Sequence, residues 1–130
     1  MNRMRLLNIA GKQRMLTQQM IKLILVKRFD VYKNREIANK VNVQITHVKD
    51  EFESALNLLK KDKNNSCEIE TQLDLVSQKW TVFIHSIENA AIETVIEKNG
   101  DVLIEMDKAV SLYETSDSKN SSSRLWKPLL

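Results

Sequence analysis

The chain has 130 residues, which suits one domain around one core. Two glycines and one proline leave a sharply turned β architecture without its turn residues, whereas Leu, Ile, Lys, Glu, Gln and Met, all helix formers, dominate. The net charge is a modest +3, and a single cysteine, Cys67, excludes an internal disulfide.

The distribution of charge says more than its sum. Seven basic residues (Arg3, Arg5, Lys12, Arg14, Lys22, Lys27, Arg28) and no acidic one fall between Met1 and Arg28. The remaining chain holds thirteen basic and seventeen acidic residues, a net of −4. Three readings fit a basic first segment beside an acidic remainder: internal complementarity within a bundle, a nucleic-acid or membrane surface, or a small-anion site. The longest uninterrupted apolar run is Leu23 to Val26, far short of the roughly 20 residues of a membrane span. Polar and basic residues interrupt the N-terminal apolar stretch, so no signal peptide is read there.

The first predicted helix covers about Asn2 to Tyr32. Leu6, Ile9, Leu16, Met20 and Leu23 form one row at helical spacing. Leu7, Ala10, Arg14, Thr17, Ile21 and Ile24 form a second row on an adjacent face. Two rows on one helix imply two partners, its own bundle and a second copy of the chain. Asn34 is a candidate cap for the second helix, with Glu36 in its first turn. Its seam is Ile37, Val41, Ile45, Val48, Phe52, Ala55 and Leu59, in steps of four and three.

The polar segment KKDKNNS interrupts the pattern, and Asn65 or Ser66 can cap a third helix. That helix carries Ile69, Leu73, Val76, Trp80, Phe83 and Ile87 on its seam. The stripe changes register between Glu88 and Ala91, where a fourth helix is expected to begin. Its seam is Ile92, Val95, Asn99, Val102, Met106, Ala109 and Tyr113. Gly100 lies inside this pattern at a cost of roughly 1 kcal/mol relative to Ala, and marks either a close helix contact or a slight bend. Residues 1–115 are thus expected to form the bundle. Residues 116–130 read as a flexible polar tail with a short apolar end, RLWKPLL. That end fits an expression remnant, a docking segment or the approach to a membrane span. Four amphipathic helices with short connections predict an all-α, antiparallel up-down-up-down bundle.

The segment NIAGKQRMLTQQM, residues 8–20, carries the candidate site. Asn8, Gly11, Arg14 or Met15, and Gln18 share one helix face. Gly11 lets another backbone or a ligand come close. Arg14 supplies a planar fork of donors and a permanent charge, with Thr17 and Gln18 adding neutral donors one turn later. If this face met its copy across a twofold axis, two Arg14 side chains would converge and repel each other. An anion between them would turn that repulsion into two charge-assisted contacts. The plainer alternative is a solvated or surface-paired arginine. The anion reading depends on Arg14 having no carboxylate partner within its own chain.

Other candidates have plainer explanations. His47 precedes Asp50, and His85 precedes Glu88, by three residues. Di-iron bundles use the opposite order with further inward glutamates, so no metal site is expected. Asn99 fits a register-setting core hydrogen bond or a small hydrated pocket. Trp80, Phe83, Met15 and Met20 fit packing. With no nucleophile–base pair, phosphate-cradling loop or paired carboxylates, catalysis and a cofactor are not expected. Nucleic-acid binding is a weaker alternative, because Leu and Ile share the basic helix face.

The same segment resembles the N-terminal signature of the PilJ-type and NarX-like sensory domains of bacterial receptors. That pattern runs approximately Asn, any, Ala, Gly, any, Gln, Arg, Met, Leu, Ser or Thr, Gln. Asn8, Ala10, Gly11, Gln13, Arg14, Met15, Leu16, Thr17 and Gln18 match it. Weaker echoes are QKWTVFIHSI and EKNGDVLIEMDKAVSLYE, so the resemblance spans about residues 6–114. It implies a periplasmic four-helix sensory bundle set between two membrane spans of a histidine kinase or chemotaxis receptor. It also implies a homodimer through the first helices, with nitrate or nitrite as the leading ligand at Arg14 and Gly11. Asn8, Ala10, Met15, Thr17 and Gln18 complete the expected ligand-binding group. Both spans are missing from this chain. A helical protein-interaction module without a small ligand is the alternative.

Overall fold

The computed structural model describes residues 3–29 and 35–126, with side chains described through 115. All four elements are helices, and no strand occurs among the described residues. They are α1 (Arg3–Phe29), α2 (Arg35–Lys60), α3 (Cys67–Asn89) and α4 (Ile92–Trp126). At 1.5 Å per residue, α1 is about 40 Å long. The expected Asn34 cap lies outside the described residues. The backbone of α4 stays helical to Trp126, beyond the expected end of the bundle at 115. Residues 127–130, including most of the apolar end, also lie outside the described residues.

Local chemistry sets the helix ends. Ser66 caps α3 in an extended conformation, and its hydroxyl accepts from the Ile69 amide at 3.2 Å. Glu68 and Glu70 complement the positive end of that helix. Ala90 leaves the helix at φ −89°, ψ 157°, while its amide still donates to Ser86 O. The register change near Glu88 to Ala91 is therefore a real break. Helix α2 ends as Asn65 Nδ2 donates to the Leu59 carbonyl at 2.8 Å, satisfying one of the acceptors that a helix end leaves open.

The periodic seams predict most of the core. All six seam residues of α3 are buried, as are Val95, Asn99, Val102, Met106, Ala109 and Tyr113 of α4. On α2, Leu56 joins Val41, Val48, Phe52 and Leu59 inside, while Ile37 is exposed. Full burial of such side chains is worth about 1.5–3 kcal/mol each. Helix α1 packs against both α2 and α4, and α3 against α4, whereas α2 and α3 touch sparsely. Aromatic rings bridge that sparse side. Phe52 stacks on Trp80 at 3.8 Å, and the indole donates to Glu53 at 2.8 Å.

The two-row reading of α1 needs correction. One face holds the core contacts, and it mixes both rows: Leu6, Ala10, Gln13, Leu16, Thr17, Met20 and Ile24. Leu7, Ile9, Ile21 and Leu23 pack partly buried at its edges. The uncovered apolar side chains of α1 are instead Met4, Met15, Val26 and Phe29.

Candidate functional site on helix one

The candidate residues separate into two groups. Asn8, Met15 and Gln18 are exposed, Arg14 is half-exposed, and Gly11 lies among them. A Cβ added at Gly11 would meet nothing within 4 Å, so the expected room for a close approach exists. Ala10 and Thr17 belong elsewhere. Both are fully buried, because their spacing from Leu6, Gln13 and Ile24 turns them inward. Neither lies with the outward group.

Thr17 instead joins a buried polar layer that links three helices. Its hydroxyl donates to Gln13 O at 2.8 Å. Asn99 Nδ2 of α4 donates to Thr17 O at 2.9 Å, which fits the register reading of Asn99. Gln13 Nε2 donates to Phe52 O of α2 at 2.8 Å. Gln13 was not among the expected site or core residues, although its three-residue step from both Ala10 and Leu16 places it on their face. Its Oε1 is buried with no hydrogen-bond partner.

The charges of α1 are largely answered within the chain. Lys12 pairs with Glu51 of α2 at 2.7 Å, and Lys27 with Glu88 of α3 at 3.3 Å. Arg28 donates to the Ile87 carbonyl near the negative end of α3. Arg14 is answered too, which corrects the expectation that it has no counter-charge. Its Nε lies 2.5 Å from Asp107 Oδ1 of α4. The alignment is poor, since that oxygen is screened from solvent yet receives no well-directed hydrogen bond. The two side chains remain 50% and 47% exposed, so the pair is worth at most about 1 kcal/mol. Internal complementarity thus describes much of the basic helix. The partner was hidden because Asp107 lies in another helix, one position past core Met106.

Elsewhere the polar contacts are structural. Gln72 donates to both the backbone and the carboxylate of Glu105 at 2.8 Å. That hydrogen bond, followed by the charge of Lys108, holds Glu105 below the usual carboxylate range despite burial. Tyr113 donates to Asn65 Oδ1 at 3.2 Å. Burial, aided by the charge of Asp62, pushes its hydroxyl up to about 12. His47 is exposed, 3.9 Å from Glu51, and His85 is also exposed. Among the described residues, no three His, Cys, Asp or Glu gather in a metal-holding group. None of the described helices is long and apolar enough to cross a membrane. Comparison with known protein families, curated proteins and solved structures finds no match.

Proposed function

We propose that the chain is the sensory module of a bacterial signal-transduction receptor, an up-down-up-down bundle on the periplasmic side of the inner membrane. In this reading it pairs with a second copy along α1 and takes a small oxyanion such as nitrate or nitrite at Arg14. The carrying observation is the outward surface of α1. There Gly11 lies open one turn from Arg14, whose pair with Asp107 stays half-exposed. The sequence of cross-helix contacts from Arg14–Asp107 to Thr17–Asn99 supports opposite directions for α1 and α4.

The Arg14–Asp107 pair removes the condition first set for an anion at Arg14, so this reading now requires the anion to displace Asp107. An exposed ion pair contributes about 0–1 kcal/mol, whereas each hydrogen bond to a charged group in a drier seam contributes about 1.5–3 kcal/mol. Two guanidinium forks on one anion in that drier seam outweigh two exposed carboxylate contacts, whereas on a monomer the anion stays exposed and gains no more than Asp107 already gives. Anion binding would therefore require the dimer, and would strengthen it by mass action. Exchange of Asp107 for the anion would release the outer tether between α1 and α4, leaving the buried Thr17–Asn99 bond in place. The two helices could then shift relative to each other to the extent that the anion favours one arrangement.

One observation favours a second reading: Arg14 already has a counter-charge, as expected of a helical interaction module with no small ligand. Calorimetric titration with nitrate, nitrite, chloride and sulfate, paired with sedimentation, separates the two. The sensor reading expects nitrate or nitrite heat in the wild type, loss in Arg14→Ala and tighter binding in Asp107→Asn. Silence from every anion in both wild type and Asp107→Asn, with the dimer intact, leaves the interaction module.

A further inference from the structure

The chain has only two glycines, and each lies within a long helix. Each costs about 1 kcal/mol of helix stability relative to alanine. Neither has a positive φ that would require glycine. Nor would a Cβ at either position meet an atom within 4 Å. Backbone conformation and packing within the chain therefore give no reason for them. Their surroundings are alike. Gly11 lies between exposed Met4 and Met15 on α1, and Gly100 between exposed Ile96 and Ile104 on α4. Helices α1 and α4 are packed neighbours, and the Arg14–Asp107 contact joins them. Gly11 is one turn from Arg14, and Gly100 is two turns from Asp107. Because the helices run in opposite directions, the glycines fall on either side of that contact.

We infer that α1 and α4 together form the face that meets a second copy of this chain, with Arg14 and Asp107 exchanged between the two copies. This rests on the dimer reading above, describes the pairing before an anion enters, and adds α4 and the charge exchange to it. Charge complementarity selects a second copy as the occupant. The face offers one cation and one anion at the same height, and a twofold axis running along the bundle preserves the height of every residue. Arg14 then faces the partner's Asp107, and the reciprocal pair forms by symmetry. Within one chain the contact is poorly aligned and leaves Asp107 Oδ1 without a directed hydrogen bond. Exchange gives that oxygen a directed donor. Gly11 and Gly100 remove side chains where the paired backbones come closest, and the flanking Met and Ile side chains bury against the partner.

The test uses sedimentation of the full chain, with helicity and melting temperature checked for each variant. The wild type is expected to dimerise. Arg14→Asp and Asp107→Arg each place like charges opposite one another and weaken the homodimer by at least about tenfold. An equal mixture of the two restores a dimer, because each chain then supplies the sign that the other lacks. Gly100→Leu fills the close approach and weakens the dimer by about tenfold or more, while its better helix propensity keeps the monomer folded. A wild type that stays monomeric overturns both this inference and the dimer reading. A dimeric wild type that tolerates Gly100→Leu, with no rescue on mixing, overturns this inference alone.

Discussion

Replacing Gln13 by Met is expected to stabilise the protein. Gln13 is fully buried, its Nε2 donates to Phe52 O, and its Oε1 has no hydrogen-bond partner. An unsatisfied buried acceptor costs about 1–3 kcal/mol, whereas the one hydrogen bond returns only about 0.5–1.5 kcal/mol. Met has nearly the same shape and length, so the swap adds little cavity or strain. The phenylalanine carbonyl loses a side-chain donor but sits within α2, where the helix supplies its own. The net gain is about 1 kcal/mol, or roughly 4 °C in melting temperature for a chain of this size. Gln13→Ala removes the same oxygen but opens a hole, and is expected to destabilise by about 2–4 kcal/mol. Urea unfolding followed by circular dichroism and tryptophan fluorescence measures both. A Gln13→Met variant that loses more than about 1 kcal/mol refutes the reasoning, because it would mean that Oε1 is satisfied, for instance by a buried water.

Ser66→Ala removes the hydroxyl that receives the Ile69 amide. It is expected to lower stability by about 1 kcal/mol in the same urea assay, with Ser66→Asp close to wild type. Tyr113 gives an alkaline signature. Its folded pKa of about 12 lies above the ordinary 10.0, so its contribution is complete below pH 10 and lost as the pH rises toward 12. The loss, about 3 kcal/mol at most, should be absent from Tyr113→Phe in melts across that range. Glu105 has the opposite sign. Its lowered pKa contributes stability above the ordinary 4.5 that falls away as acid protonates the folded carboxylate, and Gln72→Leu should flatten this acid limb.

The helices were legible because apolar residues at steps of three and four have one structural meaning. The α3 seam, the Ser66 cap and the break between α3 and α4 all follow from local spacing. Two residues show where that logic stops. Gln13 is polar, so residue type suggested the surface although its spacing placed it in the core. Periodicity was the better guide, since a single backbone acceptor on α2 accommodates the amide. Arg14 erred in the other direction. Its neighbours in sequence are uncharged, but Asp107 is brought beside it from a helix 93 positions away, and a local reading of charge cannot see that distance. Ala10 and Thr17 moved from ligand group to core because a signature marks residues that matter without saying on which side of the helix they act.

That division of the signature bears on mechanism. Gln13 and Thr17 fix α1 from inside through hydrogen bonds to α2 and from α4. Arg14, one position from Gln13, tethers α1 to α4 from outside. The inner bonds are buried and directional, so sliding α1 would leave polar groups unpaired in the core at about 1–3 kcal/mol each. The outer tether is exposed and poorly aligned, so breaking it costs little. An event at the surface of α1 would therefore act first on the weaker outer link. It would move α1 along the core only if its own free energy exceeds the cost of the inner layer. If Gln13→Met and Thr17→Val lower that cost as expected, they should make any ligand- or partner-driven shift of α1 easier while leaving the helices intact. Distance measurements between spin labels on α1 and α4 would detect that change. Unaltered shifts in those variants would show that the polar layer does not restrain the helix.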